Sequence, residues 1–418
     1  MDAPGNAEAA GTGTRAAAES ERHASWIELF FDLVVVAGIG QLAHLLHDGP
    51  DLADVALYAL LYLAFWISWA CFTVYGDVEG EGVSPPRMLL AMLGLAVMIA
   101  AVPGVRGAHG TAFVLAYVFL RWFAGRIWSR GKVVMDWPLA QFGAGALPWL
   151  VSVWVDAPAR YRLWALGIAL DLLVMLAASG RRMFGNAQRK LDRLLAHRPA
   201  PRPDPAGRRR GPTGPPRLEA AYSDAPHLAE RLGLYVIIVL GEGVIQVVTA
   251  AAEVPWDLPL SATAVGAFAL LIGVWMLSLL YGFAGVPRLA EGAVAPRLTM
   301  GLHCVATMGL AALAAGLGAA AEHPHGPVDP GVRWLLCAAL ACYFAVGLLA
   351  GCAAGRGWAW CGGWGLPGVV LPLLLGLFGA PLDAGWLVWV LAALVCWQVL
   401  HASGPPRRPA NSRAPQAA

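Results

Sequence analysis

One acidic residue, Glu242, lies near the middle of an apolar stretch that is predicted to span a membrane at about residues 229–251. Gly241 and Gly243 flank it. A charged side chain at this depth costs roughly 3 kcal/mol or more, and it normally faces a bundle interior or a water-filled path. The pattern therefore predicts a polar intramembrane site at which the carboxylate binds a proton or a cation. The flanking glycines also allow close helix packing, so a structural role is the alternative.

The predicted span 27–47 carries four further polar candidates. Glu28 and Asp32 are four residues apart, so they share one helix face, with Asp32 about one turn deeper. Gln41 and His44 are three residues apart further along the same span. Each acid also has a structural interpretation, Glu28 as a cap or interfacial ion pair and Asp32 as a buried salt bridge. His44 is interpreted as an interface residue near the outer surface.

Three more polar residues are isolated in apolar surroundings. Arg121 must either extend to the membrane surface or pair with an inner acid. Asp171 lies at mid-depth of its predicted span, about ten residues from the nearest arginine on either side. A hydrogen-bonded structural acid and a functional acid are equally good interpretations of it. His303 is interpreted as a packed, neutral histidine.

Motifs of familiar enzyme and metal chemistry do not occur in the sequence. It has no HExxH, P-loop, GxSxG or CxxC pair, and no GxGxxG before a helix, so no cofactor and no metal are predicted. The stretch 322–329, EHPHGPVD, is interpreted as a solvated loop and only weakly as a metal site. The seven cysteines occur in apolar surroundings and are predicted to be buried, inert thiols.

The composition is that of a membrane protein. Hydrophobic residues make up 58% of the 418-residue chain and charged residues 13%, whereas a soluble domain carries about 25% charge. The eighteen tryptophans fit interfacial belts, where an aromatic ring is half apolar and half wet. The net charge of +2 gives no indication of nucleic-acid binding. The predicted partners are the lipid bilayer and a small solute or ion.

Apolar runs divide the chain into two halves. Residues 1–22 are predicted to be a disordered tail because they contain no apolar run. A signal peptide would instead have a positively charged region followed directly by an apolar run. Transmembrane halves of six helices each are predicted at 23–180 and 221–402, and a second disordered tail at 403–418. The stretch 181–220, rich in Arg, Pro and Gly, is a basic linker. The predicted fold class is an all-α integral membrane protein of about twelve transmembrane helices, at about 27–47, 54–75, 88–104, 111–128, 138–155, 160–179, 229–251, 259–284, 297–320, 331–353, 358–380 and 383–402.

Basic residues predict the orientation, because short loops rich in Lys and Arg stay on the cytoplasmic side. The linker 181–220 carries eleven of the 29 Lys and Arg residues and is therefore predicted to be cytoplasmic. The loop with Asp48 and Asp51 has no Lys or Arg and falls outside, whereas the loop with Lys132 and the tail with Arg407 fall inside. The protein is thus predicted to span the bacterial inner membrane with both termini in the cytoplasm.

The two halves are predicted to be related as a parallel repeat. Span 1 opens with Ser-Trp-Ile-Glu at 25–28 and span 7 with His-Leu-Ala-Glu at 227–230. Aligning these acids places Glu242 beside Gly40 and Gln41. Each half has an even number of spans, so both halves begin on the same side. Parallel repeats of this kind recur among transporters, with the site between the halves.

Two stretches resemble the signatures of a known family. Residues 28–34, Glu-Leu-Phe-Phe-Asp-Leu-Val, occur with Gln-Leu-Ala-His at 41–44. Pro-His-Leu-Ala-Glu-Arg at 226–231 is followed by Val-Leu-Gly-Glu at 239–242. Both resemble the bacterial low temperature requirement protein A family, over about residues 22–400. The second stretch adds three residues to the candidate polar site: His227, Glu230 and Arg231.

The resemblance implies a multi-pass bacterial membrane protein linked by name to growth in the cold. It does not imply a molecular activity, because none is established for the family. The chain departs from the family at 76–79, where Gly-Asp-Val-Glu stands in place of an Asn-Arg-Phe and acidic run. It also has Gly243, where the family usually has a small hydroxyl residue after the acid.

A transporter or channel for a small solute or ion is the function that these observations favour. Its polar path would lie near Glu242, Asp32, Asp171 and Arg121. One alternative is a membrane-embedded enzyme that uses Glu242 as a general acid or base, but no nucleophile or metal set accompanies the acid, and catalysis is not expected. The other alternative is a structural or sensory membrane protein whose polar residues only fix helix packing.

The orientation can be tested with topology reporters. A reporter that is active only in the cytoplasm should be active when fused within 181–220, because the Arg-rich linker stays inside, and silent when fused near Asp51. The measurement is reporter activity at equal membrane abundance of the two fusions. The opposite pattern would reverse the predicted topology.

Overall fold

Helices make up 76% of the structure, a computed structural model that describes residues 23–47, 49–129, 131–177, 180–196 and 218–403. The predicted all-α class is therefore confirmed. The predicted tail at 1–22 lies outside the described residues, as do residues 197–217 of the predicted linker. The same holds for the predicted tail at 403–418 apart from Ser403, which ends the last helix.

The elements up to residue 196 are mostly helices, with one short strand. In chain order they are α1 (Trp26–His44), α2 (Leu52–Glu79), α3 (Pro85–Ala100), α4 (Gly110–Ala124), β1 (Lys132–Val134), α5 (Ala146–Val151), α6 (Ala159–Ala177) and α7 (Gly180–Ala196).

The elements from residue 219 onward are also mostly helices, with three short strands. They are β2 (Glu219–Ala221), α8 (Ala225–Glu253), α9 (Leu258–Trp275), β3 (Gly282–Phe283), β4 (Val286–Pro287), α10 (Pro296–Glu322), α11 (Pro330–Ala353), α12 (Trp358–Gly365), α13 (Leu371–Phe378) and α14 (Ala384–Ser403). Helical turns of π type join α9 to the loop after it, at Met276–Leu280, and α12 to α13, at Leu366–Val370.

Eight helices within the described residues are long and apolar enough to cross a membrane. Helices α6 and α7 meet at a bend of 93° and would supply a ninth span if they are counted together. Helices α3 and α4 are apolar but shorter. A multi-pass membrane protein is therefore supported, whereas twelve helices in two repeated halves stay a prediction. The eight spans are Trp26–His44, Leu52–Gly82, Ala225–Glu253, Leu258–Leu280, Pro296–Glu322, Pro330–Ala353, Trp358–Phe378 and Ala384–Ser403.

The predicted span 138–155 is not one helix. It consists of a short helical turn at Pro138–Ala140, the six residues of α5, and another short turn at Ser152–Trp154. Glycine and proline are frequent in this stretch, and neither favours a continuous helix. The backbone freed in this way is used in a polar contact, because the N–H of Gly145 donates to Asp171 at 3.0 Å.

The first part of the predicted linker also has regular structure. Residues Gly180–Ala196 form α7. Met183, Ala187 and Leu191 are spaced four residues apart, so they share one face, while basic residues occupy the other. A short helix with one apolar and one basic face is of the kind that lies along a membrane surface.

The strands connect the two sides of the linker. Strands β1 and β2 pair in parallel, with Lys132 opposite Glu219. Close by, the carboxylate of Asp136 accepts hydrogen bonds from the backbone N–H and the hydroxyl of Ser223, at 2.9 and 2.5 Å. These contacts fix the segment that leads into α8 against the loop that follows α4.

The exposed and buried faces of α8 show how the helices meet lipid. Ile237, Ile245 and Val248 are exposed on one side, at 47%, 50% and 62%. Residues of the other side, including Arg231 and Glu242, are buried. The helix therefore presents apolar side chains to the bilayer and polar ones to the bundle, the arrangement expected of a membrane protein with an interior polar site.

Glycine permits close packing between α1 and α2. A Cβ atom placed on Gly38 would overlap the ring of Phe65, which lies directly on the bare backbone. Gly241, in contrast, is exposed and has open space around it.

These two glycines give a matched pair of substitutions. Gly38→Ala should lower the free energy of unfolding by about 1–3 kcal/mol, because the new methyl group forces the Phe65 ring out of place. Gly241→Ala should leave it unchanged or slightly higher, since alanine favours helix by about 1 kcal/mol. The measurement is the unfolding transition of each variant in the same detergent. Equal stability of the two variants would contradict the close α1–α2 packing.

Candidate functional site

Five polar side chains form one buried stripe along α8. They are spaced four or seven residues apart, so they lie on the same helix face. We call the end of the bundle at which α1 and α8 begin the inner end, and the opposite end the outer end. From the inner end outward, the members of the stripe are His227, Arg231, Tyr235, Glu242 and Gln246.

Arg231 is completely buried and is held by two acids of α1. Its Nε and Nη2 donate to the two carboxylate oxygens of Asp32 at 3.1 and 2.8 Å, a bidentate pair. Its Nη1 lies 3.1 Å from Oε1 of Glu28. A bidentate guanidinium–carboxylate pair is among the stronger and most directional polar contacts in proteins.

His227 extends this ion network to α2. Its Nδ1 lies 2.6 Å from Oδ1 of Asp77, and its Nε2 lies 3.8 Å from Oε2 of Glu28. The other oxygen of Asp77 accepts the backbone N–H of Asp224, the residue before α8, at 2.7 Å. The inner network, defined as Glu28, Asp32, Asp77, His227 and Arg231, therefore joins α1, α2 and the start of α8.

Local features of the sequence place Glu28 in this network. Its Oε2 accepts the backbone N–H and the hydroxyl of Ser25, at 2.8 and 2.7 Å, so the carboxylate is fixed at the first turn of α1. A Cβ atom on Gly76 would lie 2.6 Å from Oε1 of Glu28. A glycine is thus needed at this point of α2, because any side chain would displace the carboxylate from Arg231.

An aromatic layer covers the inner network on its outer side. The indole N–H of Trp69 donates to Asp32 at 2.9 Å, and the Trp69 and Tyr235 rings lie 4.4 Å apart. The hydroxyl groups of Tyr235 and Tyr62 are 3.2 Å apart. These contacts exclude water from the ion pair of Asp32 with Arg231.

His303 belongs to the same layer and is neutral. The indole N–H of Trp66 donates to its Nδ1 at 3.3 Å, so Nδ1 accepts. Its Nε2 lies 3.0 Å from the carbonyl oxygen of Leu232 and therefore carries the proton. With one nitrogen accepting and the other donating, the ring has no second proton. The structure agrees with the packed, neutral histidine expected from the sequence.

Glu242 has a different environment from the inner acids. It is 4% exposed, and its Oε1 accepts the side-chain N–H of Gln246 at 2.7 Å. Its carboxylate lies against Gly40 of α1, where an added Cβ would be 3.1 Å from Oε1. Within the described residues no Lys, Arg or His lies within salt-bridge distance of it. Its neighbours are therefore an amide and a bare backbone.

The glycine that admits Glu242 is not one of those next to it in sequence. Gly241 has open space around it, and Gly243 packs against Leu271 of α9. The close approach is made by Gly40 on α1 instead. Contacts of Arg231 with Asp32, and of Glu242 with Gly40, occur in the same order along both helices, so α1 and α8 run in the same direction.

The stripe continues to the outer end through a histidine–glutamate pair. Gly318 of α10 lies between Gln246 and His47, since an added Cβ would be 3.3 Å from an atom of each. Nε2 of His47 is 2.7 Å from Oε1 of Glu322. The polar groups of α8 thus extend from the inner network to Gln246, and the His47–Glu322 pair continues them toward the outer end.

Arg121 and Asp171 form a second ion pair, and Arg121 does not extend to the membrane surface. Its Nη2 lies 3.4 Å from Oδ1 of Asp171, and both side chains are buried. The same guanidinium donates to the backbone carbonyl oxygens of Leu139 and Phe142 at 3.0 and 2.8 Å. Tyr117 donates to Asp171 at 3.1 Å. This pair connects α4 and α6 with the irregular stretch 138–145.

Helix α2 separates the two ion clusters. Trp69 contacts Asp32 on one side, whereas Cys71 contacts Nη1 of Arg121 at 2.8 Å on the other. Residues two apart on a helix point in nearly opposite directions. The polar path anticipated near Glu242, Asp32, Asp171 and Arg121 is thus divided into an α1–α8 part and a separate α4–α6 part.

Three of the predicted site residues lie away from these clusters. Glu230 is partly exposed, 3.6 Å from His23. His44 is exposed, with its ring 6.0 Å from that of His47. Gln41 is partly buried. The structure brings together Glu28, Asp32, His227 and Arg231, and separately Arg121 and Asp171.

The sequence analysis missed Asp77, Trp69, Tyr235 and Gln246. Asp77 was left out because the second span was predicted to end at residue 75, whereas α2 continues to Glu79. The pattern that would have found it is an acid just past an apolar run, four residues after Thr73 and eight after Trp69 on the same helix face. Gln246 could have been found from its spacing of four from Glu242.

The outer loop and the cysteines are only partly as expected. Glu322 pairs with His47, and His325 pairs with Asp257 at 2.7 Å, so the stretch 322–329 does not gather its acids and histidines. No group of three possible metal ligands occurs within the described residues. The backbone N–H of Leu260 lowers the pKa of Asp257, and His325 adds to the effect.

The prediction that all seven cysteines are buried is wrong, because Cys352 and Cys396 are exposed.

Comparison with known proteins agrees with this architecture. The chain matches the sequence profile of the bacterial low temperature requirement A protein (LtrA) over residues 23–401, nearly its whole length. The chain belongs to the LtrA family. The resemblance noted at residues 28–34 and 226–231 is thereby confirmed, and these are the stretches that carry Glu28, Asp32, His227 and Arg231.

One curated relative matches part of the chain, and its description states no activity. An uncharacterised protein of Rhizobium meliloti (strain 1021) is 27% identical over 235 residues, which cover 54% of this chain and 50% of that protein. The match therefore spans about half the length of each. No solved structure matches the chain.

The α4–α6 ion pair of this LtrA protein can be tested by a double-mutant cycle. Arg121→Leu should lower the free energy of unfolding by roughly 3–5 kcal/mol, because it leaves Asp171 buried without its cation. Asp171→Asn in the same chain should restore part of that loss, since the amide still accepts from Gly145. The measurement is the unfolding midpoint in detergent. Arg126→Leu, at an exposed arginine of the same region, is the control and should change little, whereas an unaffected Arg121→Leu variant would contradict the pair.

Proposed function

We propose that this LtrA protein moves a proton or a small monovalent cation across the bacterial inner membrane, with Glu242 as the binding group. The observation that carries the proposal is the surroundings of Glu242. Its carboxylate is 4% exposed at mid-span, and its hydrogen-bond partner is the neutral amide of Gln246. A buried carboxylate without a paired positive charge is costly. A proton or a bound cation removes that cost, so Glu242 has a physical reason to take one up.

The proposed route follows the α1–α8 interface. The inner network lies about eleven residues before Glu242 on α8, roughly 16 Å along the helix axis. On the other side, Gln246 and the His47–Glu322 pair lead to the outer end. Carboxylate, amide and imidazole groups in a line are the components of proton and ion paths in membrane proteins.

Arg231 has the role of an internal cation in this proposal. It occupies the space between Glu28 and Asp32 that a transported cation would take, with contacts of 2.8 to 3.1 Å. In this proposal the Arg231 ion pairs close the inner end. Opening it requires α8 to move relative to α1, and access to Glu242 would alternate between the two ends as in other transporters.

A structural role is the strongest competing proposal. The members of the inner network have close hydrogen-bond partners, and such a network fixes helix packing whether or not anything is transported. A membrane-embedded enzyme has less support, because the groups in contact with Glu242 are the Gln246 amide and the Gly40 backbone, neither of which is a nucleophile. The same proposal includes that the protein supports growth in the cold, as the family name suggests.

The proposal is tested with purified protein in sealed lipid vesicles. Wild-type protein should carry protons or potassium ions down an imposed gradient, followed with a pH-sensitive dye in the lumen and with a potassium electrode. Glu242→Gln keeps the shape of the side chain but cannot exchange a proton or bind a cation as a carboxylate does. Its flux should fall to the level of protein-free vesicles.

Glu253→Gln is the matched control, because Glu253 lies at the exposed end of the same helix and should retain full flux. The amount of folded protein in the vesicles is measured for each variant. Normal flux through well-folded Glu242→Gln would refute the role of Glu242. Loss of folded protein in this variant would instead favour the structural role, and absence of flux in the wild type would contradict the proposed function itself.

A further inference from the structure

Two cysteines near the inner end of the second half lie unusually close together. Cys352 is in the last turn of α11 and is exposed, and Cys361 is in α12 and is partly exposed. Their Sγ atoms are 3.4 Å apart. The four-residue connection at 354–357 is the only chain between the two helices, and it includes Gly355 with a φ of +75°, a left-handed conformation that glycine adopts without strain.

Packing of tryptophan on glycine fixes this distance. Trp364 of α12 lies against Gly347 of α11, where an added Cβ would be 2.8 Å from the ring. Trp360 covers Gly351 in the same way, one turn nearer the connection. The two indole rings stack with their centroids 5.7 Å apart. The separation of the two thiols is therefore set by the contact between the helices and not by the conformation of the loop alone.

Two arginines lie over the tryptophans that join the two helices. The guanidinium of Arg356, between the two cysteines in sequence, lies 5.0 Å from the centre of the Trp360 ring. Arg288 lies 5.9 Å from the centre of the Trp364 ring. The thiol of Cys361 donates to the backbone carbonyl oxygen of Arg356 at 3.8 Å. Neither thiol is fully buried, so a small oxidant can reach both of them.

We propose that Cys352 and Cys361 form a reversible disulfide that fastens α11 to α12. The Sγ atoms need to approach from 3.4 Å to about 2.05 Å, a shift that small side-chain rotations provide. Both residues lie at the end of these helices that is predicted to face the cytoplasm, where disulfides are transient and usually act in redox sensing or catalysis. The site is independent of Glu242 and of the proposed transport.

The oxidant in this reaction is a low-molecular-weight disulfide such as oxidised glutathione. Cys352, the more exposed thiol, loses its proton and attacks one sulfur of the oxidant, which releases one small thiolate and leaves a mixed disulfide. Cys361 then loses its proton, attacks the Cys352 sulfur and releases the second small thiolate. The two protons are taken up by the two small thiolates. In total, two protein thiols are oxidised and one small disulfide is reduced to two thiols.

The sequence makes the disulfide easy to detect, because trypsin cleaves after Arg356, between the two cysteines. The full-length protein in detergent is first reduced, then treated with oxidised glutathione, alkylated and digested. Peptides 334–356 and 357–407 should appear as one linked species. Addition of a reductant should separate them. Wild-type protein whose peptides stay separate under these conditions would overturn the proposal.

Variants identify which thiols are joined, because each peptide contains other cysteines. Cys352→Ser and Cys361→Ser should each abolish the link between the peptides. Cys396→Ser removes an exposed cysteine of peptide 357–407 that faces elsewhere, and it should leave the link intact. A link that persists in Cys352→Ser would show that another pair reacts and would contradict the assignment. The wild-type result decides the proposal even if a variant folds poorly.

Discussion

The charge of Arg231 is the constraint on which the inner half of this bundle depends. A guanidinium cannot lose its proton, and inside a membrane it has no water to stabilise it, so carboxylates must surround it. Glu28 and Asp32 of α1 do so, and this ties the first helix of the chain to the first helix after the linker. The neighbouring helix then has to fit around the pair. Gly76 gives Glu28 the space it occupies, and Trp69 donates to Asp32.

The central position of α2 follows from the same requirement. It carries hydrogen-bond donors and acceptors on more than one side, and most of its residues from Leu61 to Asp77 are buried. On one side it serves the inner network through Trp69, and on the other it contacts the Arg121–Asp171 pair through Cys71. A helix in lipid can bury polar groups on several faces only when other helices cover each of them. The helices around α2 provide that cover.

Glu242 differs from the other buried acids of the LtrA protein in kind. Asp32 and Asp171 each face a guanidinium, and their charges are largely compensated within the bundle. Glu242 faces an amide and the backbone of Gly40. The inner network thus explains how two helices are held together, while Glu242 contacts no cationic side chain among the described residues. In the proposed function, this contrast distinguishes the binding group from the groups that serve packing.

The sequence by itself determined the class of the protein and the positions of its buried charges. Apolar runs longer than a soluble core helix needs, with acids and arginines at mid-span, indicate a membrane protein with polar groups in its interior. Helices α8, α10 and α11 begin and end close to where the hydropathy changes. The predicted span at 138–155 failed because its prolines and glycines divide it into short turns, and the average hydrophobicity of the stretch does not show this.

The sequence also could not assign the ion-pair partners of the buried charges. The sequence left open which acid pairs with Arg121. Only the tertiary structure placed Asp171 beside it, and Glu28 and Asp32 beside Arg231. Spacing along a helix fixes which face a residue occupies, but the partner of that face comes from residues some 50 to 200 positions away, such as Asp171 for Arg121 and Asp32 for Arg231. The physical reason is that helix periodicity is a local property, whereas charge pairing in a membrane is decided by which helices lie side by side.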